Sequence, residues 1–256
     1  IPRPFILSAS IRAMTALPTA HRAGYRTLQD PLPDEPAKEI RASDKKFLLA
    51  MYRLALEYYQ PKIENRTNTK LGKIRICDYP QLREHRIEKF IKSPALRSVQ
   101  DFLFYGLHCL DFITGGLTKR CEKRAQMCLA TYFENAIYVS ISPGSENQHE
   151  TWFAEIVVHE LAHSLWYKLG GPKCQERQRL SQRDKEKLQI FCEGYATFAQ
   201  SVWFRDMYPL EERIEVGYRW WPENSVYEQG VRKIRQIVNE HGPDILLEIP
   251  SRWQDF

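Results

Sequence analysis

Apolar residues recur along this chain at two different periods, and the changes of period mark its elements. Phe47, Leu48, Met51, Leu54, Ala55 and Tyr58 fall at three- and four-residue steps, which predicts a helix over 45–59, capped by Ser43 or Asp44 and ended by Pro61. A short strand is expected at 73–77, then helices over 82–91 and 95–113. Residues 127–133 and 136–142 alternate at every second position instead, with Ile137, Val139 and Ile141 opposing Tyr138 and Ser140. That pattern predicts a hairpin turned at Glu134-Asn135, its second strand half-buried. Over 147–169, Trp152, Phe153, Ile156, Val157, Val158, Leu161 and Leu165 surround most of a helical cylinder, between a start at Asn147-x-x-Glu150 and a stop at Gly170-Gly171-Pro172. A helix apolar on nearly every side is buried. Leu188, Phe191, Tyr195, Phe198 and Val202 form the stripe of another helix within 184–206. The last clear helix, 226–240, stops at His241-Gly242-Pro243 and leaves 244–249 as a short apolar tail.

The buried helix carries His159-Glu160-Leu161-Ala162-His163. Leaving such side chains buried and unpaired costs several kcal/mol, so they need partners. Residues four apart on a helix lie about 40° apart around its axis, so His159 and His163 project side by side and suit one shared metal ion. Glu160 points about 60° away from His163 and flanks that position without ligating. Zinc with three protein ligands keeps a fourth position for water and lowers its pKa to about 7, and a flanking carboxylate can take the proton. The competing reading is a core helix whose histidines are satisfied by hydrogen bonds alone. A third ligand is expected from a facing helix, and Glu193, in Cys192-Glu193-Gly194-Tyr195-Ala196, is the candidate. Its bland alternative is a solvated glutamate. His149 and His241 are rival ligands that read more simply as cap or surface histidines.

With these residues in place, the chain resembles the gluzincin zinc metallopeptidases, and among them the thermolysin-like catalytic domain of the zinc aminopeptidases. His159 to His163 match the HExxH helix, and Cys192 to Ala196 resemble the NEGFA segment that carries the third zinc ligand. Tyr227-Glu228-Gln229-Gly230 resembles the YxKG segment, whose tyrosine stabilises the oxyanion; a tyrosine here also reads as a packing residue. Phe133-Glu134-Asn135 resembles the end of the GxMEN segment, which would give Glu134 the amino terminus of a substrate; a hairpin turn explains the same pair. The departures are Tyr132 and Phe133 in place of the Gly and Met, Gln229 in place of the lysine, and a longer gap between the two zinc segments. The resemblance covers 126–242 and implies an α+β, zincin-like fold with a small mixed sheet and hairpin beside a mainly helical lobe. It also implies one Zn2+ per chain, a peptide or protein substrate, zinc on His159, His163 and Glu193, Glu160 as general base, and Tyr227 on the oxyanion. The alternatives are a catalytically inactive zincin-fold binding module and a zinc hydrolase of a non-peptide amide or ester. Endopeptidase and aminopeptidase activity are both compatible with these residues.

Composition narrows this picture only a little. Apolar residues make up 43% of the 256 and charged ones 27%, enough for one sizeable core, and no run approaches a membrane span. The net charge of +5 is spread along the chain rather than blocked, so no nucleic-acid site stands out. Residues 1–44 are proline-rich and read as an extended arm or leader. Their first acidic residue is Asp30, after four arginines, a balance that suits organellar targeting and leaves secretion open. Residues 45–256 read as one catalytic domain, with an N-terminal lobe over 45–146, the HExxH helix over 147–169 and a helical lobe over 178–256. Cys77, Cys109, Cys121, Cys128, Cys174 and Cys192 form no CxxC pair and leave the compartment undecided. Cys192, beside Glu193, reads as a packing thiol.

Overall fold

The computed structural model describes residues 41–82, 130–141, 150–172, 174–177, 179–208 and 224–256, all within the unit Pro36–Phe256. The arm up to residue 40, nearly all of the helices expected over 82–91 and 95–113, His149 and the segment 209–223 lie outside the described residues.

Helix α1 spans Ala42–Thr67, so Ala42 to Asp44 belong to it rather than to the arm, and Pro61 lies inside it rather than ending it. Proline removes one hydrogen bond to the preceding turn. Burial of Leu56 and Tyr59 before it and of Ile63 and Thr67 after it holds the helix together across that gap. The inward face also differs from the expected one. Leu48, Tyr52, Leu56, Tyr59 and Ile63 are buried, whereas Phe47, Leu54 and Tyr58 are exposed. Both sets recur at helical steps, and packing selects between them: the Tyr52 ring meets Phe153 edge-on at 5.0 Å. Asn68, at φ 48°, turns the chain out of the helix. Burial pushes the Glu64 carboxyl up, but hydrogen bonds from Gln60, the Leu71 N–H and Lys70 outweigh it and hold it below the usual range.

Three short strands follow: β1 (Arg75–Asp78), β2 (Ala130–Phe133) and β3 (Ala136–Val139). Their order is β1-β3-β2, with β1 parallel and β2 antiparallel to β3. Glu134 (φ 47°) and Asn135 (φ 62°) make the two-residue turn with both residues left-handed, as a tight hairpin requires. As the central strand, β3 is buried along its whole length rather than half-buried. Ile137 and Val139 enter the main core, while Ala136 and Tyr138 pack with Leu82 in a second cluster.

Helix α2 (Glu150–Lys168) lies against α1 and β2 and is buried on nearly every side, as its sequence requires. A short α3 (Cys174–Arg177) follows. Helix α4 (Gln182–Phe198) is capped by Ser181, whose hydroxyl accepts the Asp184 N–H. At Ala199 the winding widens into a π-helical segment, Ala199–Trp203, followed by a 3-10 turn at Arg205–Met207. The wide turn shifts the register, so Val202 leaves the apolar stripe and is 40% exposed, while Ala199, Gln200 and Ser201 are buried. Helix α5 (Val226–His241) is capped by Ser225 and ends at Gly242. The tail forms a 3-10 turn (Pro243–Leu247) and α6 (Ile249–Arg252), burying Ile245, Leu246 and Ile249. The described chain is mixed α+β, mostly helical with one small mixed sheet.

Helices α4 and α5 cross with almost no space between their backbones. A Cβ on Gly194 would stand 2.3 Å from the Gly230 backbone, and one on Gly230 would stand 2.3 Å from the Ile190 carbonyl oxygen. No other residue fits at either position without separating the helices.

Candidate metal centre

The Nε2 atoms of His159 and His163 lie 3.2 Å apart. Glu193 Oε2, reaching across from α4, is 3.4 Å from each of them. These are long for charge-assisted hydrogen bonds, which run to about 2.7–2.9 Å. They match another geometry closely: a tetrahedral ion at about 2.0–2.1 Å from nitrogen and oxygen ligands keeps those atoms about 3.3–3.4 Å apart. The three donors therefore form one face of a tetrahedron sized for zinc, and two imidazoles with a carboxylate are a donor set that zinc accepts. The histidine side chains are 11% exposed and that of Glu193 is 25% exposed, so the face is recessed yet open to solvent on one side.

Glu160 also lies close, with one carboxylate oxygen and a nitrogen from each histidine all within 4.8 Å of one another. Its Oε2 is engaged elsewhere, accepting the Tyr132 N–H of β2 at 2.6 Å. That bond fixes the carboxylate beside the triangle rather than on it. Burial holds the Glu160 carboxyl above its ordinary range, against the pull of His163, His159 and the Tyr132 N–H. Burial works on His163 in the opposite sense, but the Glu193 carboxylate and Cys192 outweigh it and set the imidazole well above its usual value. Burial likewise pushes Glu193 up, and His163 and His159 more than reverse it, leaving that carboxyl far below the carboxylate range.

Tyr227 comes from the first turn of α5, and its ring centroid is 6.3 Å from that of His159. The Gly194–Gly230 crossing explains this placement. Glu193 adjoins one glycine and Tyr227 precedes the other by three residues, so the contact that packs α4 on α5 also brings both side chains to the histidines. His241 stands at the far end of α5, exposed, its ring 5.8 Å from that of Phe256. Glu134 occupies the exposed hairpin turn. Sequence reasoning passed over two contacts: Gln200 Oε1 lies 3.2 Å from His159 Nδ1, and Cys192 Sγ lies 3.3 Å from His163 Nδ1. The signal for Gln200 was its position seven residues after Glu193, back on the same helical face. Cys192 was visible only as the neighbour of the candidate third ligand.

The chain matches no protein-family model, no curated protein and no solved structure. Among the described residues, no helix is long and apolar enough to cross a membrane.

Proposed function

We propose that this chain is a zinc-dependent metallopeptidase of the gluzincin type, with a zincin-like fold and one Zn2+ held by His159, His163 and Glu193. The observation that carries this reading is the triangle of donor atoms with edges of 3.2, 3.4 and 3.4 Å. Zinc bound there supplies a Lewis acid for the scissile carbonyl and lowers the pKa of the attacking water to about 7. Glu160 serves as general base. Its Oε2 is anchored by the Tyr132 N–H, which leaves the second oxygen to receive the proton of the water and return it to the departing amine. Tyr227 donates its phenolic hydrogen to the carbonyl oxygen as that oxygen becomes anionic.

The position of β2 favours a peptide over other amides. β2 ends the described sheet, and its Tyr132 N–H points away from β3 toward Glu160. An extended chain laid beside this edge would pass close to the base, the manner in which a peptide adds to a sheet edge.

The test is peptide hydrolysis by the zinc-loaded protein and its Glu160→Gln variant, with free and amino-blocked peptides compared. The variant is expected to keep its zinc and lose at least about 10²–10⁴-fold in kcat. Full activity in that variant removes the assignment, and hydrolysis restricted to free amino termini selects the aminopeptidase form.

A further inference from the structure

Each histidine of the triangle presents its Nε2 to the centre and its Nδ1 to a side chain on the chain segment that carries Glu193. For His159 the partner is the Gln200 carboxamide oxygen, at 3.2 Å and 8% exposed. A carboxamide oxygen only accepts, so Nδ1 carries the hydrogen and Nε2 is left with its lone pair. For His163 the partner is Cys192 Sγ, at 3.3 Å and 3% exposed. Arg177 holds this sulfur in place. Its guanidinium has no acceptor, and its Nη2 lies 3.3 Å from the same sulfur, which therefore accepts from it. Arg177 is itself fixed by the Tyr167 hydroxyl at 3.1 Å and the Pro172 carbonyl at 3.3 Å. The sulfur thus sits in a held position, and its second lone pair accepts from His163 in the tautomer that carries the hydrogen on Nδ1 and frees Nε2 for a metal.

From these contacts we infer that Gln200 and Cys192 are positioning residues for the metal: they hold His159 and His163 in the tautomer and rotamer that turn both Nε2 lone pairs to one point. The inference rests on the zinc site proposed above. The π-helical segment has a purpose in this arrangement. Gln200 lies in its first turn, and its side chain must reach His159 from the same strand of chain that, two helical turns earlier, delivers Glu193. Acceptors placed behind both rings turn both Nε2 atoms toward one point, the arrangement that a shared cation requires.

The zinc dissociation constant, measured by competition with a chromophoric chelator, tests this without recourse to activity. Gln200→Leu and Cys192→Val remove the acceptors while filling the space, and each is expected to weaken zinc binding about 10–100-fold. Gln200→Glu and Cys192→Ser restore an acceptor and are expected to return to within a few-fold of the parent chain. Unchanged affinity in the Leu and Val variants overturns the inference, as does a Glu or Ser variant no better than its apolar counterpart, since that is the behaviour of packing alone. A parent chain that binds no zinc overturns the site itself, a result distinct from either.

Discussion

At the residue scale, the proposed site is a division of labour among three carboxyl- and imidazole-bearing side chains that one helix places close together, and a carboxylate and a phenol that come from two other helices. His159, Glu160 and His163 follow from spacing on a single helix, and one ligand atom of each lies within 4.8 Å of the others. Glu193 was legible as a carboxylate on a facing helix, yet its distance from both histidines depends on how α2 and α4 pack. Tyr227 is the residue whose two readings, packing and catalysis, differ most. Its ring stands 6.3 Å from that of His159 at a half-buried position, where a hydroxyl can meet a substrate. Tyr227→Phe keeps the ring and removes only the hydrogen bond, so kcat should fall about 10²–10³-fold with KM little changed. Steady-state kinetics decide this, and an unchanged kcat returns Tyr227 to a packing role.

At the element scale, the sequence revealed where helices lie more reliably than how they wind or which way they face. The period of α2 was unambiguous because apolar residues occupy almost all of it. In α1 two apolar stripes compete, and the choice between Tyr52 and Phe47 is made by Phe153 and other long-range neighbours that a local window does not contain. Pro61 was read as a stop because its cost is local, while the burial that offsets it is spread over the flanking turns. The π-helical winding at Ala199 has no periodic signature of its own, and it moves Val202 off the stripe on which the helical period places it. Gly194 and Gly230 were each visible within a motif, but their contact appears only when α4 and α5 are crossed. That crossing supports a sharp expectation. Gly194→Ala should force the helices apart, lower stability by about 1–3 kcal/mol or more, and weaken zinc binding together with it, because Glu193 and Tyr227 move with the two backbones. Thermal unfolding and zinc titration of the variant check this; a variant with parental stability and affinity would show that the crossing has room to spare.

At the scale of the whole molecule, one continuous core joins α1, the sheet, α2, α4 and α5, and the proposed zinc site bridges two of those helices at its edge. A metal there links α2 to α4 and binds only the folded arrangement, so zinc affinity and folding stability are two views of one equilibrium. Every catalytic role assigned to Glu160 and Tyr227 depends on that ion. The most direct test is the elemental content of the purified protein beside its Glu193→Ala variant, after dialysis and remetallation with zinc. The account predicts about one zinc ion per parent chain and most of it lost from the variant. A parent chain that takes up no zinc after remetallation, or a variant that retains it in full, contradicts the three-ligand site.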